Sequence, residues 1–176
     1  MLQWNPQKDY PQIEESTYIH KTAVIIGKVS IGKNCFIGPG VILRADEMNS
    51  GIIIGDNCNV QDRVIMHCLE DTEVIIHKNT SLTHGCIIHG PCEIGQNCFI
   101  GFGSIVFDVL MGSRAVIKHQ CCIEGVVIPS NKLIESGKCV KNAEDIKKLS
   151  DVTQNDKGFA DKVLKTNLEL VEGYKR

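Results

Sequence analysis

The run Ser81-Leu82-Thr83-His84-Gly85-Cys86-Ile87-Ile88-His89-Gly90-Pro91-Cys92-Glu93-Ile94-Gly95 decides the fold. Leu82, Ile88 and Ile94 fall six residues apart. Upstream the same aliphatic slot is filled at Ile19, Ile25, Ile31, Ile37 and Leu43. After five extra residues it resumes at Ile54, Val60 and Met66, and after four more at Ile76. Downstream it continues at Ile100 and Val106, then, after one deletion, at Met111, Ile117 and Ile123. All seventeen slots hold Ile, Leu, Val or Met. A period of six fits neither an amphipathic helix nor an alternating strand. It marks a parallel β-helix of hexapeptides.

A second slot lies four residues after each aliphatic start. It holds Ala23, Val29, Cys35, Val41, Cys58, Val64, Thr80, Cys86, Cys92, Cys98, Ser104, Ala115, Cys121 and Val127. One large and one small inward residue per turn would fill a narrow prism. Gly follows the aliphatic slot at Gly32, Gly38, Gly55, Gly95, Gly101 and Gly112, where a corner favours a residue without Cβ. Three hexapeptides make one coil, which rises about 4.8 Å, the interstrand spacing.

The 176 residues predict one domain, with an arm over 1–18, the β-helix over 19–135 and a helical segment over 142–174. Trp4, Pro6 and Pro11 suit an extended arm covering the first coil or a neighbour. Past Pro129 the repeat fades. Asn142 caps a short helix, and Phe159, Val163, Leu170 and Tyr174 fall near helical spacing, as on a helix laid along the prism. A net charge of −2 excludes an obvious nucleic-acid footprint. No signal-like opening and no bilayer-length apolar run is present, so a cytoplasmic protein without membrane contact is expected.

Six of the nine cysteines (Cys35, Cys58, Cys86, Cys92, Cys98 and Cys121) occupy the small slot and read as packing residues. Cys68, Cys122 and Cys139 lie off it, and their role stays open.

The register brings distant residues together. His67 and His89 both hold the second position of their hexapeptides, one coil apart, so they stack on one face. Arg44 holds that position one coil earlier. His84 holds the third position of its turn, on another face, with Asp62 one coil below and Gln61 beside it. One prism cannot easily bring both sets to one ion, whereas a closed threefold ring can. Three neutral imidazoles with open positions describe a catalytic metal site. His20, His77 and His119 read as polar surface. Arg44, Asp46 and Asp62 serve equally well as interface ion pairs or as catalytic groups, and Gln61 suits hydrogen bonding beside a metal-activated water.

At these residues the chain resembles the γ-class carbonic anhydrases. The resemblance rests on Trp4-Asn5-Pro6, Arg44-Ala45-Asp46-Glu47, Asn59-Val60-Gln61-Asp62, His67-Cys68-Leu69-Glu70, Ser81-Leu82-Thr83-His84, His89-Gly90-Pro91 and Glu172-Gly173-Tyr174-Lys175. Phe99-Ile100-Gly101-Phe102 also resembles the carbonic-anhydrase-like domain of a carboxysome scaffold protein. The resemblance implies a left-handed β-helix homotrimer that hydrates CO2 to bicarbonate. It implies one divalent metal per interface, Zn2+ or Fe2+ with Co2+ as a substitute. The implied ligands are His67 and His89 of one chain and His84 of its neighbour. Gln61 would orient the attacking hydroxide, and Arg44, Asp46 and Asp62 would buttress the interface. Glu47 matches the family's candidate proton-transfer acid, and Asn167 a tail residue near the pocket. One departure stands out: where the family prototype carries a long acidic loop with a shuttle glutamate, only residues 68–74 follow His67, and Glu70 aligns at the loop's start.

Two rival functions share the repeat. A hexapeptide acyltransferase would use one histidine as base and bind a CoA thioester between chains; three histidines in ligand register and the missing acceptor-binding insertion argue against it. A metal-binding scaffold without turnover would hold metal and leave CO2 alone.

Overall fold

The computed structural model describes residues 1–174. It is a left-handed parallel β-helix of about seven coils, closed by C-terminal helices. Each coil contributes to three flat faces. The first face stacks Leu2–Gln3, Val24–Gly27, Ile42–Ala45 and Ile65–His67 and ends at Cys139–Val140. The second stacks Gln12–Ile13, Val29–Ile31, Gly51–Ile54 and Glu73–Ile76. Above these, Ile87–Ile94, Ile105–Met111 and Cys122–Ile128 each bend from the first face onto the second. The third face runs from Tyr18–Ile19 through Asn59–Val60 and Ser81–Leu82 to Lys132–Ile134, closed by the antiparallel Ser150–Asp151.

Sixteen of the seventeen aliphatic slots are buried, and Ile19 packs partly buried against them. On the first face alone Ile25, Leu43, Met66, Ile88, Val106, Ile123 and Val140 form one inward column. Burying each such side chain is worth about 1.5–3 kcal/mol. The small slot does more than fill space. Cys35 Sγ donates to the Gly55 carbonyl at 3.1 Å, Thr80 Oγ1 to Gly95 at 2.9 Å and Ser104 Oγ to Lys118 at 3.0 Å. Cys, Thr and Ser alternate there because each is small and carries one donor for the carbonyl one coil on. Cys68 joins the interior too, donating to the Gly51 carbonyl at 2.9 Å.

Several boundaries differ from the sequence reading. The arm is a coil in its own right: Leu2–Gln3, Gln12–Ile13 and Tyr18–Ile19 each pair in parallel with the coil above. Its slot residues Leu2, Ile13 and Ile19 pair with the inward Ile25, Ile31 and Ile37, and Ile13 and Ile19 pack partly buried against the core. The repeat also persists past Pro129, with Ile134 and Val140 buried. Pairing of Val106 with Ile123 and Ile117 with Ile134 shows that the late coils have shed one residue. The loss falls at the corner between the first and second faces, so Val126 turns inward and Val127 is 60 % exposed.

The helix α1 (Ala143–Lys147) starts at Asn142, whose side chain accepts the Asp145 amide. The helix α2 (Gln154–Tyr174) lies along the third face, with Ala160 and Val163 against Phe99, Val116 and Leu133. Its buried residue is Val171; Leu170, one position round, is exposed. Tyr174 stacks on Tyr18 at 4.5 Å.

Candidate metal centre

The histidines gather at the two edges of the first face. At the edge towards the second face, the ladder pairs His67 with Arg44 below and His89 above. These residues point outward because they follow the inward Leu43, Met66 and Ile88, and strand side chains alternate. His67 Nδ1 lies 3.1 Å from His89 Nε2, and Arg44 Nη2 lies 3.1 Å from His67 Nε2. His89 Nδ1 is 3.0 Å from the Gly90 carbonyl. A guanidinium only donates and a carbonyl only accepts, so the chain has one consistent assignment. Arg44 donates to His67 Nε2, His67 Nδ1–H donates to His89 Nε2, and His89 Nδ1–H donates to Gly90. Both imidazoles are therefore neutral. Burial, then the Arg44 guanidinium and the neighbouring His89 ring, hold the His67 pKa below its ordinary value; Glu47 and Asp46 pull the other way and lose.

The carboxylates sit just past the end of the Arg44 strand, in the bend that follows Ala45. Arg44 Nε meets Asp46 Oδ2 at 3.1 Å. Asp46 Oδ1 and Glu47 Oε1 approach His67 Nε2 to 3.5 and 3.4 Å. Glu47 Oε2 accepts the Glu70 backbone N–H at 2.7 Å. Glu70 thus meets this group through its main chain.

At the other edge, His84 lies in the corner turn between the third and first faces, not on a flat face. Gly85, at φ +69°, turns the chain there. Asp62 Oδ2 holds His84 Nδ1 at 3.1 Å, with the two side chains 47 % and 50 % exposed. Gln61 is 5 % exposed, and its Oε1 finds no hydrogen-bond partner among the described residues. Asn167 donates from α2 to the Val163 carbonyl at 2.9 Å.

Among the described residues of one chain, no three His, Cys, Asp or Glu side chains converge as a metal-holding group. The donors nevertheless suit a divalent cation. Neutral imidazole is a preferred ligand. His67 Nδ1 and His89 Nε2 face one another at 3.1 Å, and both can serve one ion once the proton between them is released. The orphaned buried Oε1 of Gln61 is a polar atom waiting for a hydrogen-bond donor.

The sequence reading omits three aromatic neighbours. Phe107 packs edge-on against His89 at 5.3 Å. Phe102 contacts His84 at 5.1 Å, and His119, read as polar surface, stacks on Phe102 at 4.2 Å. The signal is present in the register: Phe102 and His119 hold the same third hexapeptide position as Asp62 and His84.

Models described as bacterial transferase hexapeptide and hexapeptide repeat of succinyl-transferase match residues 10–45 and 91–138. A carbonic anhydrase of Methanosarcina thermophila is 34 % identical, covering 98 % of this chain and 78 % of its own length. The carboxysome assembly protein CcmM of a Nostoc species is 37 % identical over 97 % of this chain, which spans 32 % of that longer protein. A hexapeptide transferase family protein from Anaplasma phagocytophilum superposes with a TM-score of 0.83 at 26 % identity, over 98 % of this chain and 97 % of its own. The fold defines a hexapeptide-repeat protein. Within that class the chain belongs to the γ-class carbonic-anhydrase-like family.

Proposed function

We propose that this chain is a γ-class carbonic anhydrase, a metal-dependent lyase that hydrates CO2 reversibly to bicarbonate and a proton. It works as a homotrimer, with His67 and His89 of one copy and His84 of the next as ligands. The observation that carries this reading is the division of three imidazoles between two edges of one face, with two ring nitrogens already 3.1 Å apart. An outward apolar ladder of Val24, Ile42, Ile65, Ile87 and Ile105 runs between those edges and supports association there.

When bound, a divalent cation, zinc or ferrous iron, supplies Lewis acidity that brings the ionisation of water towards neutral pH; carbonic anhydrases are the reference case for this effect. The chain's own groups do the rest. The Gly90 carbonyl and the Asp62 carboxylate hold the tautomers of His89 and His84, leaving the opposite nitrogens as donors. Gln61 Oε1 accepts a hydrogen bond from the attacking water, and its amide donates to a CO2 oxygen. Glu47 accepts the released proton: it stands beside His67, tied by the Glu70 amide, with its side chain partly in solvent. Glu70 plays a lesser part, and Asn167 lines the pocket from α2. Arg44, Asp46 and Asp62 keep the two edges in place. No helix among the described residues is long and apolar enough to cross a membrane, which suits the proposed cytoplasmic setting.

Anaerobic purification, metal analysis and a CO2 hydration assay test the proposal. The expected result is one metal per chain and hydration that chelation removes and Zn2+ or Fe2+ restores. Saturable CoA binding without metal would replace it with the acyltransferase reading. Stoichiometric metal without hydration would make the chain a binding scaffold, the reading that its likeness to a carboxysome assembly protein supports.

A further inference from the structure

We propose that Phe102, backed by His119, is a positioning residue for His84. The inference rests on the proposed ligand role of His84. Asp62, His84, Phe102 and His119 occupy equivalent corner positions on four successive coils. The Asp62 carbonyl accepts Gly85 N–H at 2.9 Å, the His84 carbonyl Gly103 N–H at 3.0 Å, the Phe102 carbonyl Gln120 N–H at 2.8 Å and the His119 carbonyl Gly137 N–H at 2.9 Å. The column therefore has a rigid backbone, and its side chains stack in order.

His84 needs a second constraint. Its bond to Asp62 fixes one nitrogen but lets the ring swing about that contact, and both partners are half in solvent. An exposed pair of this kind holds geometry weakly. Phe102 supplies the missing wall, 5.1 Å away at an interplanar angle of 42°. Phe102 is itself 41 % exposed, so the hydrophobic interior does not hold it. His119 does: its ring lies 4.2 Å from that of Phe102, at 19° to it. His119 Nδ1 accepts the Phe102 backbone N–H at 3.1 Å, and its own backbone N–H donates to Ser136 Oγ at 3.2 Å. Gly101 makes this closure possible, since a Cβ there would stand 2.8 Å from His119 Nδ1 and 2.5 Å from the Lys118 carbonyl oxygen. An exposed Phe clamped by a half-buried His, ending on a ligand imidazole, has no role in the interior packing. It restricts where His84 presents its free nitrogen.

Titration of the metal-free trimer with Co2+, followed by the visible spectrum of the bound ion, tests this. Phe102→Ala is expected to weaken Co2+ binding roughly tenfold, the low end for loss of a group that orients a ligand, and to change the band shape. Phe102→Tyr keeps the aromatic wall and should bind as the parent protein does. His119→Ala should fall between them. If Phe102→Ala does not fold, Phe102→Leu keeps apolar volume and should still shift affinity and spectrum. A Phe102→Ala trimer with parental affinity and spectrum overturns the positioning role while leaving the ligand assignment intact. A parental trimer that takes up no Co2+ refutes the ligand assignment, and the positioning role with it.

Discussion

The two edges of the first face carry the same kind of residue in opposite settings. His67 and His89 stand on parallel strands, partly buried, joined to each other, to Arg44 and to the Gly90 carbonyl. His84 stands in a turn, half exposed, held by Asp62 and Phe102. A β-ladder sets its side chains through main-chain bonds that no single side chain controls. A corner sets them through contacts between side chains in water. The strand edge is thus held by strand pairing and by bonds among its own side chains, and the corner edge by the contacts of Asp62 and Phe102 with His84.

Removing a ligand should have the largest effect. His67→Ala and His84→Ala trimers should each lose stoichiometric metal. Mixed, they should recover some sites, because one interface of a hybrid joins an intact His67 to an intact His84. Verified hybrids with no recovered metal would show that the two edges do not share a site. Next comes Gln61→Ala, expected to lower CO2 hydration about 10³-fold with metal content unchanged, since it removes a pre-organised polar group beside the reacting atoms. Lost metal instead would make Gln61 part of the scaffold. A smaller loss, about 10²-fold, is expected for Glu47→Ala, with partial rescue by imidazole buffer. Glu70→Ala should matter less, because Glu70 reaches Glu47 through its main chain. The reverse order would return the shuttle to the short loop.

The smallest effect tests the register from which both edges are read. Burial pushes the thiols of Cys86 and Cys92 up from 9.0 to about 12. Unfolded thiols ionise near the lower value, so the folded chain holds these protons longer. Stability should stay level below pH 9 and fall as pH rises towards 12. Denaturation curves across that range should flatten in part for Cys86→Ala. Under native conditions an alkylating reagent should reach Cys139 and Cys122 first. These two pair on neighbouring rungs of the first face. Fast labelling of Cys86 or Cys92 would show the interior assignment to be wrong.

Much of the fold is legible because one slot repeats. No helix can carry Leu82, Ile88 and Ile94 on one stripe, since six residues advance it by about one and two-thirds turns. A coil of hexapeptides turns all three inward, and all three are buried. The pairing of His67 with His89 and Arg44 comes from counting slots. Counting fails where slots are shared or missing. The spacing places Val127 inward, because a one-residue loss at a corner cannot be located from spacing alone; Val126 takes that place. The first coil is hidden because Leu2 and Ile13, which pair with the inward Ile25 and Ile31, stand eleven residues apart and so fall outside a six-residue count. Leu170 and Val171 are apolar neighbours on α2, and only the packing of that helix chooses Val171.

The order of the residues alone determined the coil, its inward column and the rungs on which the histidines sit, since a six-residue period admits one economical way of burying aliphatic side chains. Tertiary structure decided how those histidines are held. The hydrogen-bonded line from Arg44 to Gly90, the approach of Glu47 to His67, and the Phe102–His119 stack on His84 depend on side-chain rotamers and corner geometry. Those are set by contacts between coils, which lie roughly twenty residues apart along the chain and about 5 Å apart in space.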